Sequence, residues 1–145
     1  MSKVIKPPAP NPCGSCPYRR DVPSGLWDRS EYRKLPEYDR YTASQPTGMF
    51  LCHRQDGRAC AGWCGTHDMN NSLALRLGGA AGMIEDPEPF LDYTTSTPLF
   101  NTGGEAARHG MAEVEAPSPA ALKVIAKLES DRDKREKEEE DGDQR

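Results

Sequence analysis

The segment NPCGSCPYRR, residues 11–20, sets Cys13 and Cys16 three apart between Pro12 and Pro17. A second cluster follows in Cys52, His53, Cys60 and Cys64, with His67 just beyond. These clusters constrain the chain more than any hydrophobic pattern does, because little else is available to hold it together. Leu, Ile, Val and Phe supply only 20 of the 145 residues, whereas Gly and Pro supply 26. Ordering each residue costs roughly 1–2 kcal/mol of backbone entropy. Chains so poor in large apolar side chains usually lean on a disulfide, a metal or a partner. A disulfide framework is disfavoured. Five cysteines is an odd number, and the opening MSKVIKPPAP reads as no secretory leader, its apolar stretch being only Val4-Ile5. The expectation is a single cytoplasmic domain with reduced thiols. No run approaches the roughly 18 apolar residues of a membrane span.

A Cys-x-x-Cys turn presents two thiolates to one ion, and a second pair from a distant segment completes a tetrahedron suited to Zn²⁺. The same donors can hold an iron–sulfur cluster of the 4Fe-4S type. The pair Asp56-Gly57 is a turn signal that would fold FLCH against ACAGW and bring Cys52 to Cys60. The expected ligands are Cys13, Cys16, Cys52 and Cys60, with Cys64, His53 and His67 as alternates. Neighbours on an extended segment point to opposite faces, which turns His53 away from an ion held by Cys52. His67, beside Asp68, reads as a residue of a helix start. The motif CGSC also occurs as a redox pair of thioredoxin type, but that fold needs a strand before the motif. The preceding PPAPNP cannot be a central strand.

The rest of the chain reads as short elements. WDRSEYRKLP offers a helix capped by Asp28 or Ser30 and stopped by Pro36. GMFLCH is the best strand. HDMNNSLALRLGG offers a helix with Asp68 as N-cap, a core stripe of Met69, Leu73 and Leu77 beside Ala74, and a stop at Gly78-Gly79. SPAALKVIAKLE offers a late helix opened by Ser118 and Pro119, with Leu122, Ile125 and Leu128 on its apolar side. The expected fold class is small α+β and metal-stabilised: a short strand or hairpin around the cysteines, two or three short helices, and flexible termini. The expected organisation is a Pro-rich arm over 1–11, a cysteine-rich metal-binding domain over 12–100, a linker and amphipathic helix over 101–128, and a charged, disordered tail over 129–145.

The blocks PCGSCPYRRDVPSGLW, MFLCHRQDGRACAGW and NNSLALRLG resemble successive blocks of an uncharacterised family of small proteins from actinobacteria and their phages. The resemblance covers roughly residues 12–92. It reads as Cys-x-x-Cys-Pro-aromatic-Arg, Phe-x-Cys-His, Cys-x-Gly-Trp, then a helix with Asn and Arg. It implies that Cys13, Cys16, Cys52 and Cys60 are the family's cysteines, His53 its histidine and Trp63 its tryptophan, with Cys64 extra to the pattern. It implies no activity.

Charge is unevenly placed. Residues 1–60 carry 10 Lys and Arg against 6 Asp and Glu, and residues 129–145 carry 5 against 9. Arg19, Arg20, Arg33, Lys34 and Arg40, with Tyr18 and Trp27 for stacking, make a basic stretch over residues 18–40. Arg19, Arg20 and Tyr18 are its candidate partner-binding residues. There is no Ser-His-Asp order, paired-carboxylate motif or phosphate loop, and a four-thiolate site is closed to substrate. The expected function is a non-enzymatic metal-binding protein, a structural-zinc module for protein interaction or regulation, without membrane or small-molecule substrate. An iron–sulfur redox sensor or a nucleic-acid-binding regulator is the alternative.

Overall fold

The computed structural model describes residues 4–52 and 57–143. Six α-helices form among them: α1 (Arg29–Arg33), α2 (Ala61–Thr66), α3 (Leu73–Ala80), α4 (Glu88–Leu91), α5 (Gly103–Met111) and α6 (Pro119–Asp143). Three 3-10 turns, Leu35–Asp39, Thr42–Ser44 and Met69–Asn71, link or extend them. None of the described helices is long and apolar enough to cross a membrane.

The α+β expectation is corrected: no strand forms among the described residues, only isolated bridges. The fold-back between the cysteine segments is nevertheless present in miniature. Leu51 bridges Ala59 antiparallel, the Cys52 amide donates to the Arg58 carbonyl at 2.8 Å, and the Cys60 amide donates to the Phe50 carbonyl at 2.9 Å. It grows no longer because the returning arm enters α2 at Ala61, immediately after Cys60. Gly57, at φ +75°, takes the left-handed backbone that the turn requires; Asp56 and His53 lie outside the described residues. From Ile5 the N-terminal arm lies against the body, with Ile5 donating to Met83 O and Lys6 to Gly57 O, both at 2.8 Å.

Metal stabilisation of the fold is corrected as well. Among the described residues no group of three or more His, Cys, Asp or Glu side chains is gathered as a metal site. The fold is closed by a few large side chains and by small residues, most of which a count of Leu, Ile, Val and Phe leaves out. Trp63, Tyr18, Tyr32, Phe90 and Leu35 are essentially without solvent exposure, and Ala59, Ala106, Ala107 and Ala121 are buried among the elements. Each large aromatic buries roughly 150–250 Å², so a few of them replace many aliphatic residues.

Local chemistry explains the helix boundaries. The Asp28 carboxylate accepts from the Ser30 amide and opens α1. Pro36 does not end this region: it sits in the first turn of the following 3-10 segment, where its missing N–H costs nothing. The helix expected from Asp68 is split. Asp68 caps the 3-10 turn, and Ser72 then caps α3 through a bond from the Leu75 amide. That break rotates the buried face, so Ala74 and Leu75 are inside and Leu77 is 43% exposed. Gly78 and Gly79 lie within α3, and the stop falls at Gly82, φ +75°.

Helix α5 packs on α1 and on the Leu35–Asp39 turn. Its buried face is Gly103, Ala106, Ala107 and Gly110, and Gly110 rests directly on the Tyr32 ring. Asp39 holds its start, accepting from the Gly103 and Gly104 amides at 2.7 and 2.8 Å. Helix α6 docks its Ala121 on Val22 and Leu26, with Val124 and Ile125 beside it. Leu122, expected on the apolar side, is 54% exposed.

Candidate metal centre

The Cys13–Arg20 segment folds as two successive tight turns, with Cys16 N donating to Cys13 O and Arg19 N to Cys16 O, each at 3.1 Å. It is tied down from several directions. Trp27 Nε1 donates to Ser15 O at 2.9 Å, and Arg19 donates to Pro12 O at 3.1 Å. Arg20 N donates to Pro98 O, and Phe100 N donates to Tyr18 O. The fold-back at Leu51 and Ala59, together with the start of α2, carries Cys52 and Cys60 to the same place.

Cys13, Cys16, Cys52 and Cys60 border one small cavity of about 40 Å³, closed off by Asn11, Arg58 and neighbouring alanines. Within it the thiols pair. Cys16 Sγ and Cys60 Sγ are 3.8 Å apart. Cys13 interacts with Cys52, and that contact, with burial, holds the Cys13 thiol far above its usual range. In the inner pair the Cys60 contact draws Cys16 below the ordinary thiol value, helped by the Tyr18 and Gly62 backbone N–H groups against the cost of burial. The Cys60 thiol is raised by the same contact and by burial.

The alternates stand elsewhere. Cys64 is buried one turn into α2, its thiol raised to about 12 by burial. His67 faces Tyr18 Oη at 3.4 Å through Nε2 and Asp39 at 3.7 Å through Nδ1. Burial holds its imidazole below the usual value, with Asp39 opposing. His53 is outside the described residues.

The candidate partner-binding residues are occupied within the chain. Tyr18 is fully buried in edge contact with Phe50 and His67, and offers no surface for stacking. Arg19 holds Asp21 through two bonds of 2.8 and 2.7 Å. Arg20 donates to Leu99 O at 2.7 Å and covers the Phe100 ring. Arg20 thus binds the cysteine turn to residues 99–105, a long-range contact that its polarity in the sequence did not reveal, while the Arg19 side chain stays within residues 12–21.

The family described as "Family of unknown function (DUF6283)" matches residues 8–132. The chain belongs to that family, and the match extends well beyond the 12–92 span of the resemblance, into α6. No curated protein and no solved structure matches it.

Proposed function

We propose that the chain is a non-enzymatic zinc-binding protein whose Cys13, Cys16, Cys52 and Cys60 take one Zn²⁺, and that it serves as a protein-interaction or regulatory module. The supporting observation is the 3.8 Å separation of Cys16 Sγ and Cys60 Sγ across a cavity that Cys13 and Cys52 also border. A tetrahedron with Zn–S bonds of about 2.3 Å has an edge of about 3.8 Å. The inner pair is thus spaced for one ion, and the outer pair has only to close on it. The thiols must lose their protons on binding, so uptake is steeply pH-dependent and favoured at high pH.

That spacing also argues against the iron–sulfur alternative, in which each thiolate binds a different iron and the sulfurs stand further apart. The nucleic-acid alternative through residues 18–40 is weakened by the internal commitments of Tyr18, Arg19 and Arg20. Four sulfur ligands leave no open coordination position for substrate, which favours a binding role over catalysis. The resemblance noted in the sequence suggests an actinobacterial cytoplasm, or that of a phage-infected host, as the setting, with a host protein as partner.

The test is metal analysis and visible spectroscopy of protein purified with and without air. One equivalent of zinc and no colour is expected. Serine at any one of the four positions should cut zinc content by at least half, whereas Cys64→Ser should keep it. Full zinc content in all four single variants would refute the assignment, and an oxygen-sensitive colour would replace the ion by a cluster.

A further inference from the structure

Cys16 and Cys60 are 1% and 3% exposed, and the cavity that the four thiols border holds about 40 Å³. One water occupies about 30 Å³ of liquid, so an ion cannot reach the inner pair with its hydration shell unless part of the wall moves. Most of that wall is fixed. Cys13 and Cys16 are held by their turn, and Cys52, Ala59, Cys60 and Ala61 by the fold-back and the start of α2. The N-terminal arm supplies the rest through Ala9 and Asn11. Asn11 is exposed as well as bordering the cavity, which places the arm at its mouth.

The arm is a stiff segment held at the surface. Pro7, Pro8 and Pro10 fix φ at three of four positions, so this stretch moves together and loses little backbone freedom on docking. Prolines offer carbonyls but no N–H, and the body supplies the donors. Arg58 donates to Pro7 O at 2.7 Å, and Tyr93 Oη to Pro10 O at 3.2 Å. Arg58 also borders the thiol cavity, so one side chain serves both the fastening and the wall. The Lys6 amide donates to Gly57 O at 2.8 Å, and Lys6 O accepts from the Ala59 amide at 3.0 Å. Lys6, Pro7 and Pro10 are exposed, and Ile5 is only partly buried against the core. A segment held by a few exposed hydrogen bonds opens at far less cost than the body does. The chain bends at Pro10 and Asn11, whereas Pro12 is buried and held by Arg19, so the bend is the place where it opens.

We propose that residues 5–10 form a strap over the thiol cavity, and that its opening at the Pro10–Asn11 bend sets how fast zinc enters and leaves. The inference rests on the zinc reading above, but it concerns rate rather than affinity. Opening precedes uptake and release alike. Unfastening the strap therefore speeds both and leaves their ratio, the affinity, unchanged. Damage to the ligands instead speeds release alone and weakens affinity.

The test transfers zinc from the loaded full chain to a colorimetric chelator in large excess, and equilibrium competition with the same chelator gives the affinity. Tyr93→Phe removes one fastening and Lys6→Pro another, and neither residue borders the cavity. Loss of one hydrogen bond should raise the open fraction, and with it the release rate, about five-fold. The double variant should exceed about ten-fold, with affinity within about two-fold of the natural chain. Lys6→Ala keeps both backbone bonds and should release at the natural rate. Thr102→Ala removes the cap of α5; it lowers stability without touching the strap and should leave the rate alone too. Should Lys6→Pro fail to fold, Tyr93→Phe decides by itself. Unchanged release in the strap variants would overturn the inference. So would equal acceleration by Thr102→Ala, which makes unfolding of the body the route, or affinity lost in proportion to the faster release, which assigns the effect to the ligands. A natural chain that takes up no zinc overturns the zinc reading and this inference with it, whereas bound zinc whose release ignores the strap overturns this inference alone.

Discussion

Replacing Gly62 by Ala tests how tightly α2 is pressed onto the cysteine turn. A Cβ at this position would stand 2.7 Å from Tyr18 Cβ, and the Cys16 sulfur lies in its way as well. Neither neighbour is the loose end of a flexible side chain: Tyr18 is fully buried, and Cys16 is held within its turn. Overpacking of this kind costs about 1–3 kcal/mol. Against it stands the helical preference of Ala over Gly, at most about 1 kcal/mol. The net expectation is a loss of about 1–2 kcal/mol. With a urea dependence of about 1–3 kcal/mol per molar, the unfolding midpoint should fall by about 0.3–2 M. The same substitution at Gly79 is the control. That glycine is also helical, in α3, but a Cβ there meets nothing within 4 Å. Gly79→Ala should therefore raise stability by about 0.5–1 kcal/mol. Gly62→Ala should also reduce zinc uptake, because the displaced sulfur is one of the inner pair. The decisive reading is the sign of the two midpoint shifts. If both variants are stabilised, the contact between α2 and the cysteine turn is looser than described and the reasoning fails.

Tyr32→Phe keeps the ring under Gly110 but removes the hydroxyl that accepts from the Leu26 and Trp27 amides, each at 3.1 Å. Stability should fall by about 1–3 kcal/mol, seen as a lower urea midpoint, and an unchanged midpoint would mean that water reaches those amides. For His67, burial favours the neutral imidazole in the folded chain, while the unfolded chain takes up a proton at about pH 6.5. Its folded value being depressed, the stability it contributes is full above about pH 6.5 and is lost as pH falls through that value toward the folded one. Urea midpoints between pH 7.5 and pH 5 should decline in the natural chain and decline less in His67→Gln. Parallel declines in the two proteins would assign the effect to other groups.

The parts of this molecule that were legible in the sequence are those governed by neighbours in the chain. Asp28 before α1 and Ser118 before Pro119 announce their helices because a capping side chain bonds amides two or three residues ahead. The approach of Cys13 to Cys16 in one turn, and of Cys52 to Cys60 across a short fold-back, is local in the same sense. The contact of Cys16 with Cys60 joins two distant segments and has no such local cause. Helix α5 was not readable, since its contact face is made of glycine and alanine and carries no apolar stripe. It is a docking helix that works by close approach, and only the Tyr32 ring and the Leu35 backbone beneath it reveal why the small residues are there.

The same distinction explains why the meeting of Tyr38 and Trp63 was missed. Tyr38 and Asp39 stand in a polar stretch that reads as connection, and Trp63 reads as part of a cysteine motif. Nothing local joins them. They meet because Asp39 is drawn to the start of α5, which fixes the 3-10 turn, while α2 carries Trp63 inward from the thiol cavity. Helix α2 ties that cavity to the aromatic core, with Cys60 as its N-cap and Trp63 three residues on. Tyr18 makes a second tie: it lies two residues from Cys16, and its ring stands edge-on to Phe50 and His67.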